Sequence, residues 1–119
     1  QSFYNTHVVY NIFVQLNSMQ KMNVIVIIPS PLRNLTNGER KVNLELDSEG
    51  SSVENVILAL NNLYPGILSK VLDDENQLHK YVNIFIDSED IRYLDGINTI
   101  VNDNDELSIV PAVAGGAID

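Results

Sequence analysis

Val53, Val56, Ile57, Leu60 and Leu63 fall on one face of a helix, and that stretch is set between segments patterned as strands. Its start is marked by Ser51 as a candidate N-cap with Glu54 three residues on. This is an S-x-x-E capping box, which satisfies two orphan backbone donors. Tyr64-Pro65-Gly66 stops it. A helix with one apolar face must bury that face against something, and the neighbouring segments offer a sheet. Asn23 to Ile28 is a continuous apolar, β-branched run closed by Pro29, so it reads as a buried strand ending where proline cannot donate to a ladder. Residues 29–38 form a loop in which Asn37-Gly38 suits positive φ at a turn. Val42, Leu44 and Leu46 then alternate with Lys41, Asn43, Glu45 and Asp47, which predicts a strand with one wet face that pairs with the first as a hairpin.

After the helix, Ile67, Leu68, Val71 and Leu72 suggest one more short helical turn, and Asp73-Asp74-Glu75-Asn76 a solvated loop. Tyr81 to Ile86 has strong β propensity and reads as a central strand. Asp87-Ser88-Glu89-Asp90 turns it into a short strand or extended piece, Ile91 to Leu94, which ends at Asp95-Gly96. Asn102 to Asp105 is a further turn, and Glu106 to Pro111 is the last strand. Strands grouped around one helix, instead of repeated βαβ units, predict an α+β domain: a mixed sheet with one main helix packed across it. A chain of 119 residues accommodates one such domain, placed at residues 22–111. Residues 1–21 are rich in strand formers and precede a second plausible start at Met22. They read either as an added edge strand or as a partly ordered extension. They do not match a signal peptide, having no basic n-region and no small-residue cleavage site. Residues 112–119 read as a flexible tail.

Charge and residue usage exclude several functions. A net charge of −9, from 16 acidic and 7 basic residues, disfavours nucleic acid as a partner and points to a basic protein surface. Without cysteine the chain can neither build disulfides nor hold sulfur as a persulfide. Its apolar runs are far shorter than the roughly 20 residues that span a bilayer, so no membrane is expected and the chain is placed in the cytoplasm. His7 and His79 lack metal-ligand spacing, no serine lies in a G-x-S-x-G context, and the acidic clusters do not follow a calcium-loop register. No catalytic residue, metal site or cofactor is expected in this chain.

Gly115-Gly116 does not lie between a strand and a helix, as a phosphate-cradling loop must. It sits in a run of small residues, Ala112-Val113-Ala114-Gly115-Gly116-Ala117, just past the last strand. By composition this is a frayed end. It also has the form of a substrate. A carboxylate that is to be converted to an acyl adenylate must enter a chamber that excludes water, and glycine lets the walls close around the chain. From Pro111 to Gly116 an extended chain reaches roughly 20 Å at about 3.3 Å per residue.

Three blocks together resemble the ubiquitin-like sulfur carriers: residues 29–38, Leu63-Tyr64-Pro65-Gly66, and the stretch from Tyr81 through Ile91-Arg92-Tyr93-Leu94-Asp95-Gly96 to Gly116. That family includes the small molybdopterin synthase subunit and the thiamine-pathway carrier. The likeness runs from Met22 to Gly116 and is strongest to the branch that serves cysteine synthesis. It implies a β-grasp fold and a Gly116 carboxylate that an adenylating enzyme related to ubiquitin-activating enzymes activates with ATP. A sulfur donor then leaves a thiocarboxylate, and an acceptor enzyme takes the sulfur. In this branch the acceptor is a pyridoxal-phosphate cysteine synthase. Val113, Ala114 and Gly115 would be read by the partner as the tail enters. Ile91, Tyr93 and Leu94 are candidates for docking the body, with core packing as the alternative. Ala117, Ile118 and Asp119 depart from the pattern, because while they remain Gly116 is an amide. A JAB1/MPN-type metallopeptidase cutting between Gly116 and Ala117 would free it. A modifier joined to lysines through Gly116, and sulfur donation to molybdopterin or thiamine synthesis, share this chemistry up to the adenylate.

Overall fold

The computed structural model describes residues 5–19, 21–47 and 51–112. Five strands form one mixed sheet: β1 (Lys21–Ile27), β2 (Lys41–Asp47), β3 (Val82–Ile86), β4 (Glu89–Asp90) and β5 (Glu106–Pro111), in the order β2-β1-β5-β3-β4. β1 and β2 are an antiparallel hairpin. β5 lies parallel to β1, with Ile27 opposite Ser108, and antiparallel to β3, with Val82 opposite Pro111. The last strand is therefore interior. β3, read from sequence as central, is instead next to the two-residue edge strand β4. Helix α2 (Val53–Leu63) lies across the sheet and α3 (Ile67–Val71) follows it, giving the expected α+β, ubiquitin-like β-grasp arrangement.

The core sits between α2 and one sheet face. Met22, Val24, Val26 and Ile28 reach it from β1 and its end, Leu107 and Ile109 from β5, Ile84 and Ile86 from β3, and Val53, Val56, Ile57 and Leu60 from α2. The β-branched run is thus buried on one face only. Ile25 and Ile27 point to the other face, are half-buried, and lack a helix layer above them among the described residues. Leu63, assigned by spacing to the apolar stripe, is 58% exposed at the helix end.

The cap of α2 is Ser52, one residue later than the capping-box reading. Its hydroxyl accepts from the Asn55 N–H at 3.2 Å, while Ser51 is buried and donates to the Asp47 carbonyl at 2.9 Å. Ser51 is diverted because residues 99–101 pair with the helix start: Val53 N–H donates to Thr99 O and Val101 N–H to Ser51 O. Glu54 accepts instead from Asn76 Nδ2, at 2.6 Å.

Of the two readings of residues 1–21, the edge strand is corrected for the described part. Thr6–Met19 form a helix, α1, and β1 already begins at Lys21. A helix satisfies its backbone groups locally and needs no sheet edge. Asn5 begins it, accepting the His7 N–H on Oδ1 at 2.8 Å. No described helix is long and apolar enough to cross a membrane.

Candidate functional site

β5 hands the chain on at Ala112, whose N–H donates to Tyr81 O at 2.8 Å and is the last described rung between the two strands. Val113, Ala114, Gly115, Gly116 and Ala117, the residues expected to carry recognition, chemistry and processing, lie outside the described residues. What the structure defines is the surface from which they depart. Because β5 is parallel to β1 and antiparallel to β3, the end of β1, the start of β2 and the start of β3 all surround that exit.

Three features converge there. On the sheet face away from α2, Lys41, Ile27, Ser108 and Phe85 follow one another across four strands, and Val110 stands opposite Asn83 nearer the exit. Ile27, Phe85 and Val110 are half-buried and form an apolar strip that no helix layer covers among the described residues. Asn83 Oδ1 is buried and has no hydrogen-bond partner among the described residues, an uncommon state for a polar atom. Second, Tyr81 is 62% exposed, stacks on His79 with ring centroids 6.2 Å apart, and has Lys80 Nζ 5.1 Å from its ring centre. Third, Arg33, Arg40 and Lys41 line a cavity of about 590 Å³ with Ile27, Gly38 and Glu39. Its loop is fixed by Thr36, whose hydroxyl donates to Glu39 O at 2.8 Å, and by left-handed Asn37 and Gly38.

The proposed docking residues divide. Residues 91–93 form a 3₁₀ turn instead of a strand, started by Asp90, whose carboxylate accepts the Arg92 N–H at 2.9 Å. That turn buries Ile91 completely, so Ile91 belongs to the core and cannot touch a partner. The same turn leaves Tyr93 88% and Leu94 40% exposed. Arg92 ties it to the exit by donating from Nη2 to Val82 O at 3.0 Å. Ile27, Tyr81, Phe85 and Val110 were missed in the sequence. Parity marks three of them, since each sits one residue off the core positions of its strand.

The opposite end of the sheet is acidic. Asp87 and Asp105 lie together there, and Asp87 also accepts the Glu106 N–H at 2.9 Å. Burial pushes the Asp105 carboxyl above the usual carboxylate range. The Asn102 N–H opposes this, and the Asp87 carboxylate adds to it. Among the described residues no cluster of His, Cys, Asp or Glu could hold a metal ion.

Known proteins agree with this geometry. Over 97 residues the chain is 40% identical to the sulfur carrier protein CysO of Mycobacterium tuberculosis, covering 80% of this chain and all of that one. A chain of the crystal structure of the Amycolatopsis orientalis BexX/CysO complex superposes with a TM-score of 0.68 at 36% identity, covering 78% of this chain and 99% of that one. The solution structure of small archaeal modifier protein 1 from Methanosarcina acetivorans superposes with a TM-score of 0.64 at 30% identity, covering 81% and 98%. Residues 26–116 match the ThiS family, a span that runs from the end of β1 through β5 and closes on the second glycine, so this chain belongs to the ThiS family.

Proposed function

We propose that this protein is a sulfur carrier that serves as a substrate of partner enzymes, with Gly116 as the reacting residue. The observation that supports this best is where the family match ends. It stops at Gly116, leaving Ala117, Ile118 and Asp119 outside, and the preceding strand delivers the chain to the end of an interior ladder. The fold serves as a handle, and the small residues Val113, Ala114 and Gly115 are the thread that a partner's tunnel accepts.

In the first step a Gly116 carboxylate oxygen attacks the α-phosphorus of ATP, pyrophosphate leaves, and an acyl adenylate forms. A sulfide-level donor then attacks the carbonyl carbon and AMP departs, leaving a thiocarboxylate. ATP belongs to the adenylating enzyme. The acceptor we favour is a pyridoxal-phosphate cysteine synthase, because the relative at 40% identity is named a sulfur carrier and carries the CysO name. Water would hydrolyse the adenylate, so the tail must be enclosed while the body remains outside. Cleavage of the Gly116–Ala117 bond, for which we propose a JAB1/MPN-type metallopeptidase, precedes activation. The whole cycle is placed in the cytoplasm, where ATP is available.

The test compares the full chain with one ending at Gly116, each given the adenylating enzyme of the same genome, ATP and a sulfide donor. Intact-mass spectrometry should show replacement of one oxygen by sulfur only in the shortened chain. Conversion of the full chain, or of neither, rejects the proposal. A second reading, a modifier joined to lysine amines, is favoured by the likeness to the Methanosarcina acetivorans modifier protein. Gly-Gly remnants on cellular lysines that disappear when the gene is deleted would establish it.

A further inference from the structure

The charge of this chain is divided along the strands. Asp47, Asp87, Asp103, Asp105 and Glu106 gather where β1 and β5 begin, with Asp103 holding the Asn23 N–H at 2.7 Å. At the other end, where β5 leaves the sheet, stand Arg33, Arg40 and Lys41 around their cavity, Arg92 on the Val82 carbonyl and Lys80 over Tyr81. These are five of the 7 basic residues in a chain of net charge −9. None of the five makes an ion pair among the described residues, whereas Lys21, at the acidic end, pairs with Asp47 at 3.3 Å. Five unpaired cations are therefore grouped at the end from which the tail departs. Beside them runs the uncovered apolar strip of Ile27, Phe85 and Val110.

We infer that this end docks an acidic protein surface, the carboxylate-rimmed mouth of the adenylating enzyme that receives the tail. The inference rests on the carrier reading above. Net charge alone pointed to a basic partner, and its distribution reverses that for the working end. An acidic mouth repels the carboxylate end of the carrier and attracts the cationic end, so the molecule arrives tail first. The apolar strip then supplies the desolvated centre of the contact and the cations its rim. A polyanion such as nucleic acid fits less well, because the cluster is compact, interrupted by Glu39, and carried on a strongly acidic body.

The experiment uses the chain ending at Gly116 and the adenylating enzyme of the same genome, following pyrophosphate release as carrier, ATP and salt are varied in turn. Arg40 and Lys41 are exposed, so R40E/K41E leaves the fold intact. It should raise the KM for carrier about tenfold with kcat unchanged, and added salt should raise the wild-type KM. K21E, at the acidic end, should leave KM within about twofold. An unchanged KM in R40E/K41E overturns the inference and leaves the carrier reading standing. An effect on the KM for ATP instead of carrier also overturns it, by assigning the cations to nucleotide phosphates. No pyrophosphate release from the wild-type chain overturns both readings together.

Discussion

Two helices of this molecule are similar in apolar content and opposite in fate. α1 carries Val8, Val9, Tyr10, Ile12 and Phe13, all about half exposed or more, whereas α2 carries Val53, Val56, Ile57 and Leu60, all fully buried. The difference is one of surroundings. Val8, Val9, Ile12 and Phe13 also fall on one side of α1, with Tyr10 at its margin, yet they stay exposed, while 53, 56, 57 and 60 make a stripe that the sheet covers. Apolar composition and spacing decide that a segment seeks burial. An available surface decides whether it finds it.

The largest expected effect comes from removing an apolar side chain from each helix. Leu60→Ala opens a cavity against the sheet and should cost about 2–5 kcal/mol in denaturant unfolding. Phe13→Ala should change the same global transition by less than about 0.5 kcal/mol. Equal losses would mean that α1 packs on the body, and the contrast between the helices would be broken. A smaller effect separates the caps. Ser52→Ala removes the acceptor for the Asn55 N–H and should lower global stability by about 1 kcal/mol. Asn5→Ala removes the acceptor for the His7 N–H, and should reduce helical circular dichroism without moving the global transition.

The smallest effect is on pH dependence. The start of α2 is held by residues 99–101, and that segment continues to Asp105, whose carboxylate accepts the Asn102 N–H at 2.8 Å. The folded state raises the Asp105 pKa, chiefly through burial, so folding favours the protonated acid. Its stabilising contribution is fully present below the unfolded pKa and is lost as pH rises through the folded one. D105N, which keeps an acceptor for Asn102 without the charge, should therefore be more stable than wild type at neutral pH. The gap should close as pH falls through the carboxylate range, and parallel stability curves for the two proteins would reject the assignment.

Most of the fold was legible because its signals are local. The stripe of α2, the stop at Tyr64-Pro65-Gly66, the alternation of β2 and the limits of β5 all follow from residues close in sequence, and the structure keeps them. Readings that failed depended on distant neighbours. Ser51 lost the cap because Asp47 and residues 99–101 claimed it. Residues 91–93 closed into a 3₁₀ turn because Asp90 caps them and the core takes Ile91. α1 was misread because β propensity outweighed a real helix start at Asn5, whose side chain was the available signal. Of the proposed site, the run of small residues is a sequence feature that lies outside the described residues. The apolar strip and the grouping of cations were not legible in sequence, since strand order and register alone bring Lys41, Ile27, Ser108 and Phe85 into one row.

The strand that leads to the terminus proposed to react is stitched on both flanks, to β1 and to β3. A tug on that terminus is therefore resisted by two ladders loaded lengthwise, with many rungs sharing the force. On an outer strand a single ladder would carry the same load. In the cycle proposed above, the body would stay folded while a partner grips and releases the tail.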